Sequence, residues 1–354
     1  MFSNHSKPKL VQYASGIFSH IQHSAATTSF NDAIRCDLIA FFAIAQKCNV
    51  AFLPIMWQPA LGTLGEGGSG VISQSTVSSK MSFAFKRFHE SGDPEESFLP
   101  QMSEVLILSQ APVRAHRNIV NLEGICWEIM PMTQKAVPVL VFEKAAWDLQ
   151  QFMKVQEGMN MSTEERLNIC TDIGSAIMAL HAYGVIHGDI KPQNILVYKD
   201  ETGTTIKVAD FGYSTLTAGE AGTVVLPRSR PWNAPEHHFG DLKASEAKSM
   251  DVYSFGMLCL WILLGSRQSE TLEGTPEFVS FDVPHGRNQR TVLEESKVND
   301  GMGDLVIKLL QTVPGLSQQH QARLKKFFSV AIAQKPENRT SDIPQLVNIL
   351  NPER

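Results

Sequence analysis

The run His187-Gly188-Asp189-Ile190-Lys191-Pro192-Gln193-Asn194, with Asp210-Phe211-Gly212 beyond it, constrains this chain more than any other stretch of its 354 residues. Two aspartates, a lysine and an asparagine fall within two short polar segments. Asp210 and Asn194 carry hard oxygen ligands of the kind Mg²⁺ accepts beside phosphate oxygens. Asp189 is then left to orient a hydroxyl and take its proton, with Lys191 beside a transferring phosphate as a point charge. Phosphoryl transfer asks little else of a protein than position and charge neutralisation, so the two segments have to meet in one cleft.

The first segment resembles the catalytic loop of the protein kinase superfamily, His-Arg-Asp-x-Lys-x-x-Asn, and the second resembles that family's metal-binding triplet. A lysine two positions after the aspartate is closer to the serine/threonine branch than to the tyrosine branch. Other parts of the family pattern occur in order. Leu64-Gly65-Glu66-Gly67-Gly68-Ser69-Gly70-Val71-Ile72 reads as strand, turn and strand. Gly65, Gly67 and Gly70 let backbone N–H groups approach phosphates, and Ile72 falls where the family covers the adenine. Ser82-Phe83-Ala84-Phe85-Lys86-Arg87-Phe88 alternates small and large residues like a buried strand and resembles the family's Val-Ala-Ile-Lys. The resemblance makes Lys86 the ligand of the α- and β-phosphates and puts Ala84 in the nucleotide site.

Lys86 needs a carboxylate partner. Glu104, ahead of His116-Arg117-Asn118, is the choice from the resemblance, with Glu95 and Glu96 in a solvated helix start as competitors. The spacer to His116 is long and contains Pro112. Val139-Leu140-Val141-Phe142-Glu143-Lys144-Ala145 reads as a buried strand entering a connector. In the family this is the hinge, so Phe142 gates the back of the pocket, and Glu143 and Ala145 supply backbone groups to the adenine edge.

Residues 163–181 form the best helix by pattern, with Leu167, Cys170, Ile173, Ile177 and Leu180 on one face and Ser162 or Thr163 as cap. His187 reads as a packed core histidine rather than an acid or base. Arg228-Ser229-Arg230-Pro231-Trp232-Asn233-Ala234-Pro235-Glu236 resembles the substrate-docking loop and Ala-Pro-Glu ending of the activation segment. There Ser229 bridges Asp189 and Lys191, Glu236 pairs with Arg339, and Asp251 braces the catalytic-loop backbone. Gly188 departs from the family, whose arginine there receives an activation-segment phosphate. Phosphorylation of Thr215, Thr217 or Thr223 is therefore expected to be a weaker switch.

Two other classes match part of this pattern. Aminoglycoside- and choline-type phosphotransferases share His-Gly-Asp, but follow it with histidine where this chain has Lys191, and lack both Asp-Phe-Gly and Ala-Pro-Glu. A pseudokinase scaffold commonly lacks the lysine or an aspartate, whereas Lys86, Asp189, Asn194 and Asp210 are all present.

The expectation is thus an α+β, two-lobed kinase-like fold, with a small antiparallel β lobe carrying one key helix and a larger, mainly helical lobe. Residues 1–58 form an extension, with 38–57 a helix and strand packed on the small lobe. Residues 59–350 form the kinase domain, the small lobe about 59–143 and the large about 147–350. ATP and Mg²⁺ are the implied cofactors, and proteins the implied substrates. A net charge of −5 gives no reason to expect nucleic acid, and no membrane span or signal peptide is expected. Five scattered cysteines without C-x-x-C spacing suit an intracellular, reducing compartment. Residues 266–300 read as loops plus one short helix.

Overall fold

The computed structural model describes residues 38–57, 63–66, 70–78, 81–88, 98–130, 136–201, 203–216, 223–224, 226–238, 242–264, 292–313, 315–340 and 342–351. In the small lobe, α1 (Leu38–Lys47) leads into β1 (Phe52–Trp57), then β2 (Thr63–Glu66), β3 (Gly70–Ser78) and β4 (Met81–Phe88). After these come α2 (Leu99–Leu108), the single turn α3 (Ala111–Arg114), β5 (Leu122–Ile129) and β6 (Ala136–Glu143). The strands form one six-stranded sheet in the order β1-β5-β6-β4-β3-β2. The continuous apolar run of β6 puts it at the centre, with Val139, Leu140, Val141 and Phe142 buried.

Within residues 59–143 every strand pairing is antiparallel, as expected, and the one parallel pairing lies at the edge of the sheet. β1 pairs with β5 in parallel, and it comes from the stretch assigned to the extension. A parallel pair needs a long crossover, which β2 through α2 supply. α1 closes this edge: Phe41 is fully buried with its ring 6.2 Å from Phe98, and the Phe42 ring lies 5.0 Å from Trp127. The Phe52 ring stacks on Trp127 at 6.2 Å.

The large lobe begins with β7 (Trp147–Asp148), α4 (Leu149–Phe152) and α5 (Gln156–Met159). α6 (Thr163–Ala182), β8 (Val185–Ile186), β9 (Ile195–Asp200) and β10 (Gly203–Val208) follow. The short strands β11 (Thr215–Leu216), β12 (Thr223–Val224) and β13 (Leu242–Lys243) precede α7 (Ala244–Leu264) and α8 (Val292–Val298). α9 (Met302–Thr312), α10 (Gln318–Ala331) and α11 (Ile343–Leu350) complete it. Within 266–300, the described part contains α8. Ser162 starts α6 with a capping box: its hydroxyl accepts from the Glu165 N–H at 3.2 Å, and its own N–H donates to Glu165 Oε2 at 2.7 Å. Leu167, Cys170, Ile173, Ile177 and Leu180 then face the core.

In α7 the stretch Glu246–Leu264 is long and apolar enough to cross a membrane, yet 83% of its most apolar window is buried inside the lobe. A helix apolar all round belongs at the centre of a helical layer. α6 packs against it and against α11 with little room to spare. A Cβ at Gly174 would lie 2.7 Å from Val347 Cγ2 and 3.0 Å from Phe255 Cζ.

Two substitutions of the same kind should therefore have opposite signs. Gly174→Ala should destabilise the chain by about 1–3 kcal/mol through overpacking, despite alanine's better helix propensity. Gly303→Ala in the first turn of α9, where a Cβ meets nothing within 4 Å, should stabilise by up to roughly 1 kcal/mol. Urea unfolding midpoints of the two variants check both signs.

Candidate active site

β4 carries Lys86 at a register position opposite Ile72 on β3 and Leu140 on β6, so its side chain leaves a sheet paired on both edges. Lys86 is 4% exposed, and its ammonium reaches two carboxylates: Glu104 Oε2 and Asp210 Oδ1, each at 2.6 Å. Glu104 lies on α2 and is 1% exposed, while the other candidates, Glu95 and Glu96, lie outside the described residues. Glu104 Oε1 also accepts from the Phe211 N–H at 3.4 Å. Its neighbour Ser103 donates to the Ser214 carbonyl at 3.1 Å, and Ser214 Oγ donates to the His187 carbonyl at 3.0 Å. The sequence reading missed this pair of serines; the adjacency of Ser103 to Glu104 was the available signal.

Asp210 follows the β9–β10 hairpin, whose register ends at Ile195↔Val208, and the Ala209 N–H donates to the Asn194 carbonyl at 2.9 Å. The hairpin thus brings Asn194 and Asp210 to one mouth. Asp210 takes φ +65°, a left-handed conformation that aspartate tolerates better than most residues.

The catalytic-loop segment is pinned from beneath. Asp251, on α7, accepts from the backbone N–H of His187 and of Gly188, both at 2.8 Å, and lies 2.9 Å from His181 Nε2. His187 is fully buried. Its Nδ1 accepts from the Asp189 N–H at 3.2 Å, so its Nε2 carries the proton given to the Ala209 carbonyl at 3.0 Å. That imidazole is committed to the scaffold. Asp189 presents Oδ2 to Lys191 at 2.6 Å and to Asn194 Nδ2 at 3.1 Å, and Oδ1 to the Ser229 hydroxyl at 2.5 Å. Lys191 also donates to Ser229 Oγ at 3.3 Å. Glu236 meets Arg339 through two bonds, of 2.5 and 2.8 Å, closing the end of the segment that holds Ser229.

A family model described as a protein kinase domain matches residues 60–348. The chain belongs to the protein kinase family. It is 29% identical over 254 residues to LEAF RUST 10 disease-resistance locus receptor-like protein kinase-like 2.4 of Arabidopsis thaliana, covering 67% of this chain and 38% of that protein. With wall-associated receptor kinase 5 of the same plant it shares 30% over 237 residues, covering 64% of this chain and 30% of the relative. With cyclin-dependent kinase-like 2 of Rattus norvegicus the figures are 32% over 211 residues, 58% and 38%. The chain therefore spans well under half the length of these three relatives.

The remaining residues expected at a nucleotide site lie along the small-lobe sheet and its exit. Gly65 pairs in register with Ile72, and Gly70 opens β3; Gly67 lies outside the described residues. Ala84 faces Phe142 in register, and Phe142 is 7% exposed. At the hinge, the Glu143 carbonyl accepts from the Tyr198 hydroxyl at 3.1 Å, leaving one lone pair, while the Glu143 side chain reaches Lys207 at 3.4 Å. The Ala145 N–H makes no hydrogen bond among the described residues.

Burial and charge oppose each other at the Lys86 cluster. Burial works against the ammonium, but Asp210 and Glu104 together raise its pKa above the ordinary lysine value. Burial pushes the Glu104 carboxyl up, with Lys86 pulling it back. Burial also lifts Asp210, but there Lys86 wins and holds it down at about 2. The split follows the neighbouring charges: Lys191 adds to the pull of Lys86 on Asp210, whereas the Asp210 carboxylate pushes Glu104 further up.

An unfolded aspartate titrates near 3.9. Asp210 therefore contributes stability that is complete above about pH 4 and lost as pH falls towards 2, on the order of 2 kcal/mol in all. The stability gap between the wild type and Asp210→Asn should narrow from pH 5 to pH 2.5 in denaturant unfolding. A gap independent of pH would contradict this cluster.

Proposed function

We propose that this kinase transfers the γ-phosphoryl group of Mg-ATP to serine and threonine hydroxyls of proteins. The observation that carries the reading is Asp189, whose two oxygens are aimed by Lys191, Asn194 and Ser229 while its backbone is held through His187 and Asp251. A carboxylate so fixed suits a base that orients a hydroxyl and receives its proton. Lys191 supplies a positive charge next to the transferring group, and its contact with Ser229 supports the serine/threonine assignment. The protein supplies Asn194 and Asp210 as oxygen donors. This donor set fits Mg²⁺, which takes one or two protein ligands and completes its shell with phosphate oxygens and water. Lys86, steadied by Glu104, is placed to neutralise non-transferring phosphates, and the strands carrying Gly65 and Gly70 to cover them. Bound Mg-ATP supplies the phosphoryl group and the metal's charge neutralisation. Every other contribution is position and electrostatics from these side chains.

The activation segment supports a second part of the reading. Gly188 has φ +79°, and a Cβ there would meet Leu226 Cδ2 at 2.7 Å. Leu226 is buried over this glycine, and its carbonyl accepts from His237 Nε2 at 3.1 Å. Packing and neutral hydrogen bonds thus hold the segment where a basic pocket for phosphate would lie. We infer that activity does not require activation-segment phosphorylation. An intracellular location is part of the same proposal, in keeping with the unpaired Cys48, Cys126, Cys170 and Cys259.

Replacing Asp189 by asparagine should cut phosphate transfer to a protein substrate by at least a hundredfold while the Mg-ATP-induced rise in melting temperature persists. Asp210→Ala should abolish transfer and shrink that rise. Melting curves that ignore Mg-ATP, with no transfer by the wild type, would make the chain a binding scaffold. Phosphatase-treated protein should keep turnover within about threefold of the untreated enzyme; inert treated protein restored by phosphorylation would overturn the inference on the segment.

A further inference from the structure

The loop that brings Ser229 to Asp189 also carries an arginine on each side of it. Arg228 and Arg230 are both exposed, and neither guanidinium forms an ion pair among the described residues. Their backbone is rigidly supported. The N–H groups of Trp232 and Asn233 both donate to the Ser229 carbonyl, at 2.8 and 3.0 Å, and Ser254 Oγ donates to the Trp232 carbonyl at 3.0 Å. Beneath the loop lies Lys297 of α8, only 2% exposed. Its ammonium donates to the carbonyls of Pro231 and Asn233, the latter at 3.0 Å, and reaches Glu294 at 3.2 Å. A buried ammonium spent on two loop carbonyls is a clamp, and a clamped loop loses little further entropy when a ligand binds its side chains.

Among the described residues, the carboxylates next to this loop are already engaged. Asp189 is held by Lys191, Glu236 by Arg339, Glu294 by Lys297, and Asp251 by His181 and backbone amides. Near the catalytic loop, Gln193 and Gln150 are neutral and bond one another at 3.0 Å. On a chain of net charge −5, the described surface flanking the acceptor position therefore carries two positive charges without an ion-pair partner among the described residues. An extended peptide advances about 3.3–3.6 Å per residue, so a substrate whose hydroxyl meets Asp189 puts its next two or three residues within an arginine's reach.

We propose that Arg228 and Arg230 make this kinase select hydroxyls flanked by anionic side chains, carboxylates or phosphate esters, over those flanked by neutral or basic ones. Guanidinium forks match both groups bidentately. Solvent-exposed pairs of this kind contribute up to about fivefold each, roughly tenfold for the two together, and salt screens them. The selection rests on the phosphotransfer reading above and adds a substrate class to it.

The test uses the full chain with Mg-ATP and four peptides that share one central serine and differ only in flanking residues: glutamate, phosphoserine, glutamine or lysine. The expected kcat/KM for the glutamate or the phosphoserine peptide is about ten times that for glutamine, with lysine lowest, and the advantage shrinks in 0.5 M NaCl. A stronger response to phosphoserine than to glutamate identifies phosphate esters as the favoured anion. The Arg228→Gln/Arg230→Gln variant should bring the glutamate-to-glutamine ratio close to 1, and Arg228→Glu/Arg230→Glu should reverse it in favour of lysine. Each ratio is taken within one preparation, so loss of folded protein cancels, and the single variants serve if a double one does not fold. Equal use of all four peptides overturns the selectivity and leaves the kinase reading intact, as does an unchanged ratio in the double glutamine variant. Transfer to none of the peptides overturns both.

Discussion

Lys86 gives up nearly all contact with water, and the small lobe, α2 and the segment after β10 are arranged so that it does not do so alone. Taking an ammonium out of solvent costs several kcal/mol, and only close, well-oriented partners offset that. Its two partners come from different directions: Glu104 from α2 and Asp210 from the large lobe, each 2.6 Å away. Displacing either element strands a buried charge, so β4, α2 and residues 209–212 are fixed relative to one another by a single desolvated group. Glu104 doubles the linkage through the Phe211 amide, and Ser103 adds a bond to Ser214 one turn further along the same segment. The electrostatic cluster therefore does two things at once: it joins the lobes, and it keeps Asp210 ionised, as the metal-binding role proposed for it requires.

The second centre, around Asp189, is built on the opposite principle. No charge is buried there without an immediate neighbour in the same loop, and the loop's geometry is set by backbone bonds. Asp251 takes two consecutive amides, His187 links the Asp189 amide to the Ala209 carbonyl, and Asn194 donates to the Asp189 carbonyl at 2.8 Å. The two centres share the 187–194 and 209–214 segments, and the Asn194 carbonyl to Ala209 N–H bond ties one to the other. On the proposed reading, a phosphate at the first centre and a hydroxyl at the second would be held on one rigid frame, which is the main thing phosphoryl transfer demands.

Lys86, Asp189, Asn194 and Asp210 were legible in the sequence because the chemistry admits few residue types at those positions and their spacing is set by short turns. Glu104 was less so. Spacing alone left Glu95 and Glu96 open, and only the helix Leu99–Leu108 turns Glu104 inward to a depth where a carboxylate needs a cation. β1 was legible as a strand but not in its partner, since pairing with β5 depends on a crossover of some sixty residues whose path no local pattern records. Lys297 was not legible. Val-Leu-Glu-Glu-Ser-Lys-Val reads as an ordinary amphipathic helix, and the burial of its lysine arises from the carbonyls of a loop far away in the chain. Tyr198 escaped for the same reason, as its bond to the Glu143 carbonyl is a tertiary contact between β9 and the hinge.

Gly188 sits immediately before Asp189 and beneath Leu226. A left-handed φ of +79° strains any residue with a Cβ, and Leu226 fills the space that a side chain at 188 would first enter. Members of the family with arginine there place a cation under the activation segment, where the segment's own phosphate can find it. Here glycine takes that place, and on the proposed reading the packing of Leu226 takes over the ordering role. Among the described residues, the positive charge of the segment that has no ion-pair partner lies instead at Arg228 and Arg230, exposed on either side of the serine that touches Asp189. On the proposed reading, the molecules that approach Asp189 closely enough to bring anions to these two arginines are its substrates.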